Sequence, residues 1–199
     1  GPMPRITADS VAEHVAQQEQ AVFDAAIGLF VERGYGSVTM GDISAEVGLA
    51  RNSLYRYFPD KASILLRWYR AEVPVQAVRS AELLAGTEPP SARILRWAGA
   101  QIDYARQPEH ALIAAIGEAA PGLPPEVLAE LAESHDLLLA PLGAALGEAG
   151  LAGVDLDAAQ ELIWGLIVVQ AQRELRLGGD PVGRRHLAAA IGALVGAGR

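Results

Sequence analysis

A single glycine between two short helical segments constrains the fold of this chain more than any other residue. Gly48 follows a segment from about Met40 to Val47. It stands where a left-handed residue must end a helix, because only glycine adopts a positive φ angle without steric cost. Thr39 is a suitable N-cap for the segment. The apolar residues that would pack across the turn are Ile43, Val47, Leu49 and Leu54. The pattern predicts a helix-turn-helix, whose second helix fits the major groove of DNA.

The remainder of the chain is also predicted to be helical. From Asp9 to Arg33, apolar residues recur at the three-to-four spacing of one buried stripe. These residues are Val11, Val15, Val22, Ala26, Leu29 and Phe30. Helical patterns continue to about Val195, with kinks expected at Pro74 and Pro141, and no period-two strand pattern appears. We therefore predict an all-α fold of about nine helices.

The net charge of −8 hides a local basic segment. Between residues 51 and 70 the chain carries five basic side chains against one acidic residue, Asp60. DNA binding depends on the local potential at one face more than on the total charge. The basic residues of the segment are Arg51, Arg56, Lys61, Arg67 and Arg70. The acidic total therefore does not exclude DNA as a partner.

Residues 21–66 resemble the N-terminal domain of TetR-family transcriptional regulators. The resemblance rests on AVFDAAIGLFVERGYGSVTM, which begins at Ala21, and on DISAEVGLARNSLYRYFPDK, which ends at Lys61. Its most specific elements are LF-x-x-x-GY, the threonine before the second helix, GLARNSLYRYF and the lysine three residues past Phe58. It covers roughly a quarter of the chain.

The resemblance implies the domain organisation and the function. Residues 1–60 would form the helix-turn-helix DNA-binding domain, and residues 61–199 an effector-binding and dimerisation domain. It implies a ligand-released repressor that binds a palindromic operator as a homodimer. An activator of the same fold is equally compatible. The alternative is a helical small-molecule-binding or scaffold protein of this fold that does not bind an operator.

Base contacts are predicted at the start of the third helix. Arginine can bond guanine O6 and N7 in a bidentate manner, and asparagine can bond adenine N6 and N7. Arg51 and Asn52 suit these roles, and Ser53 is short enough to reach a base or a phosphate.

Phosphate contacts are implied by the resemblance alone. It places Thr39, Tyr55, Tyr57 and Lys61 at positions that hold phosphates, and Arg56 where a side chain reaches a phosphate or a base. Tyr55 and Tyr57 are two residues apart on a helix, so they cannot share a face. We favour Tyr55 as the DNA contact, with core packing as the alternative for either ring. Leu54 and Phe58 are predicted to be core.

The second half contains aromatic and polar residues among apolar neighbours. The family's C-terminal domain generally binds an inducer, and a mostly apolar pocket with a few polar groups suits a small hydrophobic effector. The candidate ligand-binding residues are Trp68, Trp97, Gln101, Tyr104, His110, His135, Trp164 and Gln170. For each of them, core packing is an equally valid interpretation. Trp97 and Tyr104 share a helix face, as do Trp97 and Gln101.

The last two helices are apolar enough to form either a protomer core or an interface. The resemblance implies a two-fold dimer interface made as a four-helix bundle. The candidate interface residues are Leu162, Leu166, Leu187, Ile191, Leu194 and Val195.

Several functional classes are not supported by any motif. The histidines lack metal-ligand spacing, and no phosphate loop, nucleophile elbow or HExxH motif is present, so we predict no enzyme activity, cofactor or metal. The chain has no cysteine. No apolar run is long enough to span a membrane. Because the N-terminal segment carries Asp9, Glu13 and Glu19, it does not have the pattern of a signal peptide, and a cytoplasmic location is expected.

Overall fold

A computed structural model describes residues 8–196. Within that range the chain contains nine α-helices, three short 3-10 helices and no strand. The α-helices are α1 Ala8–Arg33, α2 Met40–Val47, α3 Arg51–Leu54, α4 Lys61–Leu84, α5 Pro90–Ala105, α6 Ala111–Ala119, α7 Pro125–Glu148, α8 Gly153–Leu177 and α9 Pro181–Gly196. The predicted all-α class and helix number are confirmed. No helix in the described range is long and apolar enough to cross a membrane.

The described chain divides into two compact units. The first comprises residues 8–70 and 111–122, and the second comprises residues 71–110 and 123–196. Helix α4 therefore begins in the first unit and ends in the second. The domain boundary between residues 60 and 61 stays a prediction, because the compact units divide within α4 and assign α6 to the first of them.

The core of the first unit forms around the C-terminal half of α1. Val22, Ala26, Leu29 and Phe30 are all buried there, as their spacing predicts. The N-terminal part of the predicted stripe is not, because Val11 and Val15 are 51% and 44% exposed. The helix continues there with its stripe exposed to solvent.

The second unit has a core built by α5, α7, α8 and α9. Trp97 of α5 is 1% exposed and is the largest of its fully buried side chains. Ile102 from the same helix, Leu142 from α7 and Ile163 from α8 are completely buried beside it. Their spacing follows the apolar face of each helix, and this burial holds the four helices together.

Helix α4 is continuous through Pro74, where the sequence allowed a kinked continuation. Its C-terminal carbonyls are unpaired within the helix, as at any helix end, and two arginines of α5 satisfy them. Arg93 Nη1 donates to the Leu84 carbonyl at 2.7 Å, and Arg96 Nη2 donates to the Leu83 carbonyl at 2.8 Å. The far end of α4 is therefore fixed to α5.

A buried ionic network connects α8 and α9. Glu174 is 2% exposed, and Arg184 donates to its carboxylate through Nε at 2.6 Å and Nη2 at 3.0 Å. These bonds hold the pKa of Glu174 below its usual value. Gln170 donates to Glu174 and to Asp180, both at 3.2 Å. Gln170 is thus engaged by the network, and its ligand-binding role stays a prediction.

The buried stripe of α9 faces its own protomer. Leu187, Ile191 and Val195 are at most 8% exposed and belong to the core of the second unit. Helices of the same chain already cover these three residues, which favours a core role for them, and their place in a dimer interface stays a prediction. Periodicity identifies a common face but not its partner. Leu166 and Leu194 are half-buried against the same core, whereas Leu162 is 55% exposed.

Candidate nucleic-acid interface

The turn between α2 and α3 has the geometry that the sequence predicts. Thr39 accepts the Asp42 backbone N–H at 3.1 Å, and the Asp42 carboxylate accepts the Thr39 N–H at 2.9 Å. This capping box starts α2 and holds the pKa of Asp42 below its usual value. Gly48 ends α2 with a φ of 68°. Another residue there would strain the backbone, so glycine fixes the direction in which α3 leaves the turn.

Helix α3 is short and anchored from one side. Its regular part ends at Leu54, and the backbone continues as a tight turn in which Tyr57 N–H bonds the Leu54 carbonyl at 3.0 Å. Leu54 is fully buried and Phe58 is 5% exposed, in agreement with their predicted core role. Anchoring on this face leaves the opposite face of α3 free to meet a partner.

The side chains proposed to read bases lie on that outer face. Arg51 and Asn52 are exposed, and Ser53 is half-buried. The Arg51 guanidinium carbon lies 5.9 Å from the centre of the Tyr55 ring, and Tyr55 is itself 41% exposed. A cation stacked near a ring loses less freedom when it binds. Arg56, the remaining predicted contact in this segment, is also exposed.

Tyr57 has a different environment from Tyr55. Its hydroxyl donates to Gln18 Oε1 of α1 at 2.6 Å, and its side chain is half-buried. Arg67 is held in the same region, where Nη1 bonds Glu19 at 3.2 Å and the guanidinium lies 4.4 Å from the Phe23 ring centre. The sequence did not identify these contacts, because they join residues about forty or more positions apart. Tyr55 stays the predicted DNA contact, and Tyr57 joins α3 to α1.

Lys61 and Thr39 line one open cleft of about 410 Å³. Lys61 Nζ donates to the Tyr35 carbonyl at 2.8 Å and lies 4.3 Å from the centre of that ring. Burial, followed by the nearby charges of Asp60 and Glu118, raises the pKa of Tyr35 and keeps its phenol neutral. The cleft brings two of the residues predicted to bind phosphate to one place. Its lining residues are Tyr35, Gly36, Val38, Thr39, Met40, Asp60, Lys61 and Ala62.

The residues predicted to line an effector site form two aromatic groups in the second unit. The Trp164 ring centre lies 6.3 Å from that of Trp97 and 5.6 Å from that of His135. Separately, Tyr104 and His110 meet edge to face at 5.5 Å. Trp68 belongs to the first unit, where it is half-buried.

Three polar residues of α4 were not singled out from the sequence, although their spacing carries a signal. Glu72, Gln76 and Ser80 are four residues apart and therefore share one face of α4. Ser80 Oγ accepts Trp97 Nε1–H at 3.1 Å, and Glu72 Oε1 accepts the Tyr104 hydroxyl at 3.1 Å. This polar face of α4 meets the helix that carries the predicted aromatic residues.

Comparison with known proteins identifies the first unit. Residues 22–67 match the family described as bacterial regulatory proteins of the tetR family. The match covers the helix-turn-helix region, so this segment is similar to the DNA-binding part of tetR-family regulators. Regulators of this family are not enzymes, which agrees with the prediction made from the absence of catalytic motifs. A search of curated proteins gives no match.

Solved regulators share the fold of nearly the whole chain. A putative transcriptional regulator from Saccharomonospora viridis, solved in complex with choline, is 18% identical, with 90% of this chain and 96% of that chain covered at a TM-score of 0.67. A TetR-family regulator from Streptomyces coelicolor is 20% identical, with coverages of 90% and 80% and a TM-score of 0.64. The regulator PfmR from Thermus thermophilus is 19% identical, with coverages of 87% and 96% and a TM-score of 0.66. At these identities the likeness establishes the fold alone.

The two tyrosines of the α3 segment provide a first prediction. Tyr57→Phe should lower the free energy of unfolding by about 1 kcal/mol, because it removes the bond to Gln18, and should leave DNA affinity nearly unchanged. Tyr55→Phe should lower DNA affinity and leave the free energy of unfolding nearly unchanged, because its exposed hydroxyl has no comparable bond within the described residues. Urea denaturation and fluorescence anisotropy on labelled DNA measure the two quantities. A loss of DNA affinity on Tyr57→Phe alone would reverse the two roles.

Proposed function

We propose that this chain is a TetR-family regulator that binds a palindromic operator as a homodimer and represses transcription until a small molecule releases it. The position of α3 carries the proposal. Exposed Arg51 and Asn52 stand at the start of a helix that Leu54 and Phe58 anchor from behind. Major-groove recognition requires a helix whose inner face is anchored in the protein and whose N-terminal side chains can reach the bases.

The cleft beside Lys61 supports a positioning role on the DNA backbone. Phosphate contacts fix the register of a protein on the duplex, and base contacts then specify the sequence. The Lys61 ammonium is bonded to a backbone carbonyl but forms no ion pair within residues 8–196. No carboxylate in the described range pairs with it directly, although Asp60 lines the same cleft, and a phosphate oxygen can approach both Lys61 and the Thr39 segment.

The exposed faces of α8 and α9 support a second copy of this chain as the dimer partner. Leu162, Val168 and Val169 on α8 are 55%, 38% and 55% exposed. Leu162 and Val169 are seven residues apart and share one outer face, and Val168 lies to one side of it. The neighbouring helix α9 exposes small residues at the same periodicity, namely Ala189, Gly192, Ala193 and Gly196. An apolar face beside a row of small residues allows close helix approach, and two copies would form a four-helix bundle.

A small effector is proposed to bind the second unit. The unit contains aromatic rings with a few hydrogen-bonding side chains among them, which is the usual composition of a ligand site. The relative from Saccharomonospora viridis was solved with choline, so a protein of this fold can hold a small organic molecule. The effector would release DNA only to the extent that it binds the DNA-free conformation more tightly.

Lys61→Ala tests the phosphate role. The substitution should weaken binding to every DNA sequence and flatten the dependence of log affinity on log salt by about one unit in each half-site. Affinities measured by anisotropy across a range of salt concentrations give this slope. Asp60→Asn is the matched control, because it changes a neighbouring charge without removing a cation. A changed operator preference with an unchanged slope would contradict the role.

The proposed function is tested most cheaply on the DNA upstream of the gene for this chain. We expect a specific complex with a dissociation constant of about 10⁻⁸ M or tighter at physiological salt. Competitor DNA of random sequence should not displace it at equal concentration. Equal affinity for the two DNAs would instead favour the helical small-molecule-binding or scaffold alternative.

A further inference from the structure

The second unit contains a polar seam between α4 and α5. Ser80 is 2% exposed, and its hydroxyl receives Trp97 Nε1–H at 3.1 Å and Gln101 Nε2–H at 3.4 Å. Two turns nearer the N-terminus of α4, Glu72 receives the Tyr104 hydroxyl at 3.1 Å. The seam therefore ends at the carboxylate of Glu72, whereas the other polar groups in it are neutral.

Glu72 is half-buried and has only neutral partners. The same oxygen, Oε1, accepts from Tyr104 and from Gln76 Nε2 at 2.8 Å. Within residues 8–196 the carboxylate forms no ion pair. By contrast, the two fully buried carboxylates of this unit, Glu174 and Asp180, are paired with arginines. A half-buried carboxylate without a cation beside it is only partly desolvated, and a bound cation would give it a charged partner.

Tyr104, whose hydroxyl bonds this carboxylate, packs against a second ring, that of His110. Tyr104 contacts His110 edge to face, with an angle of 87° between the rings. Burial lowers the pKa of His110, so its ring is neutral at pH 7 and does not repel a cation. Burial, then the charges of Glu72 and Glu109, raise the pKa of Tyr104 against the smaller opposing effect of Arg79, which keeps the phenol protonated. Ring faces attract cations, and ammonium ligands are recognised in proteins by rings with a nearby carboxylate.

We propose that the second unit binds a small organic ammonium cation at Glu72, against the rings of Tyr104 and His110. The effector would then be an organic ammonium compound, and the regulatory role of this site rests on the function proposed above. Glu72 lies on the same helix as Lys61. A cation that displaces the Tyr104 bond therefore acts on the helix that begins at the phosphate cleft.

Calorimetric titration with choline and with 3,3-dimethylbutan-1-ol tests the proposal. The two molecules have the same shape, but only choline carries a positive charge. Because choline lacks an N–H donor, putrescine is titrated as a protonated amine that can bond Glu72. At least one of the two cations should bind the full chain. If choline binds, the neutral alcohol should bind at least about tenfold more weakly than choline.

Glu72→Gln tests the residue, since it keeps the shape and an acceptor for Tyr104 but removes the charge. The cation that binds should lose at least about tenfold in affinity. Glu82→Gln, an exposed position on the same helix, should change nothing. Measurable binding of choline and of its neutral analogue with equal affinity, an unchanged Glu72→Gln affinity, or no binding of either cation up to about 10 mM would each overturn the proposal. The comparison of the two isosteric ligands needs no variant, so a folding defect cannot obscure the result.

Operator binding is measured separately, without ligand. Absence of operator binding would refute the proposed function. The measured affinity for the cation would still show whether the Glu72 site binds a cation. A cation that binds at Glu72 but leaves operator affinity unchanged would refute the effector role assigned to this site.

Discussion

Val169→Glu is expected to convert the dimer into a monomer and to abolish operator binding at concentrations where the unsubstituted chain is saturated. Val169 is 55% exposed on α8, so the isolated protomer tolerates a carboxylate there. In the proposed four-helix bundle, the two-fold axis would bring both carboxylates into one apolar interface. An unpaired buried charge costs several kcal/mol, and symmetry introduces it twice.

Val78→Glu on α4 is the matched control for this prediction. Val78 is 59% exposed and belongs to the same unit, but it lies outside α8 and α9. Sedimentation velocity should give a monomer for Val169→Glu and a dimer for Val78→Glu, with circular dichroism unchanged in both. If Val169→Glu stays dimeric, the α8 and α9 faces are not the interface. If Val78→Glu also dissociates, the interface lies elsewhere in the second unit or extends to α4.

Arg51→Ala is expected to cause the largest loss of operator discrimination. One bidentate arginine–guanine contact contributes about 1–3 kcal/mol, and a dimer makes it in both half-sites. A value of about 2 kcal/mol in each half-site corresponds to a loss of roughly 10³-fold in affinity for the operator. Affinity for DNA of random sequence should fall far less, because that binding depends on the backbone charge.

Arg51→Lys separates base recognition from charge. Lysine keeps the cation but not the planar pair of donors, so most of the discrimination should still be lost. Anisotropy titrations with operator DNA and random DNA give the ratio of affinities for each variant. An equal loss on both DNAs for Arg51→Ala, with full recovery in Arg51→Lys, would assign Arg51 to a phosphate instead of a base.

The local features of this chain were predictable, because they depend on neighbouring residues. Thr39 and Gly48 determine where α2 begins and ends, whatever surrounds them. The prolines at positions 74 and 141 did not end their helices, although each removes one helical hydrogen bond and crowds the preceding turn.

The partners of each helix face were not predictable to the same degree. The stripe of α9 was correctly identified as apolar, but Ile191 faces its own chain and the small residues beside it face outward. Val11 and Val15 continue the stripe of α1 and remain exposed. A repeat of apolar residues shows which side chains share a face and carries no information about what covers it.

Pairings between distant residues were also missed. Gln18 bonds Tyr57, and Glu72 bonds Tyr104, across separations of 39 and 32 residues. Nothing local marks the partner of a polar side chain on another helix. The spacing of Glu72, Gln76 and Ser80 indicated one polar face on α4, but only the structure brings that face against α5.

Selection of bound sequences from randomised double-stranded DNA tests the central claim most directly. We expect enrichment of a two-fold symmetric site whose half-site centres are about 10 base pairs, or a whole multiple of that spacing, apart. The same selection with Arg51→Ala should lose information at one position in each half-site. Recovery of no common sequence by a folded, dimeric chain would contradict the claim that α3 reads DNA.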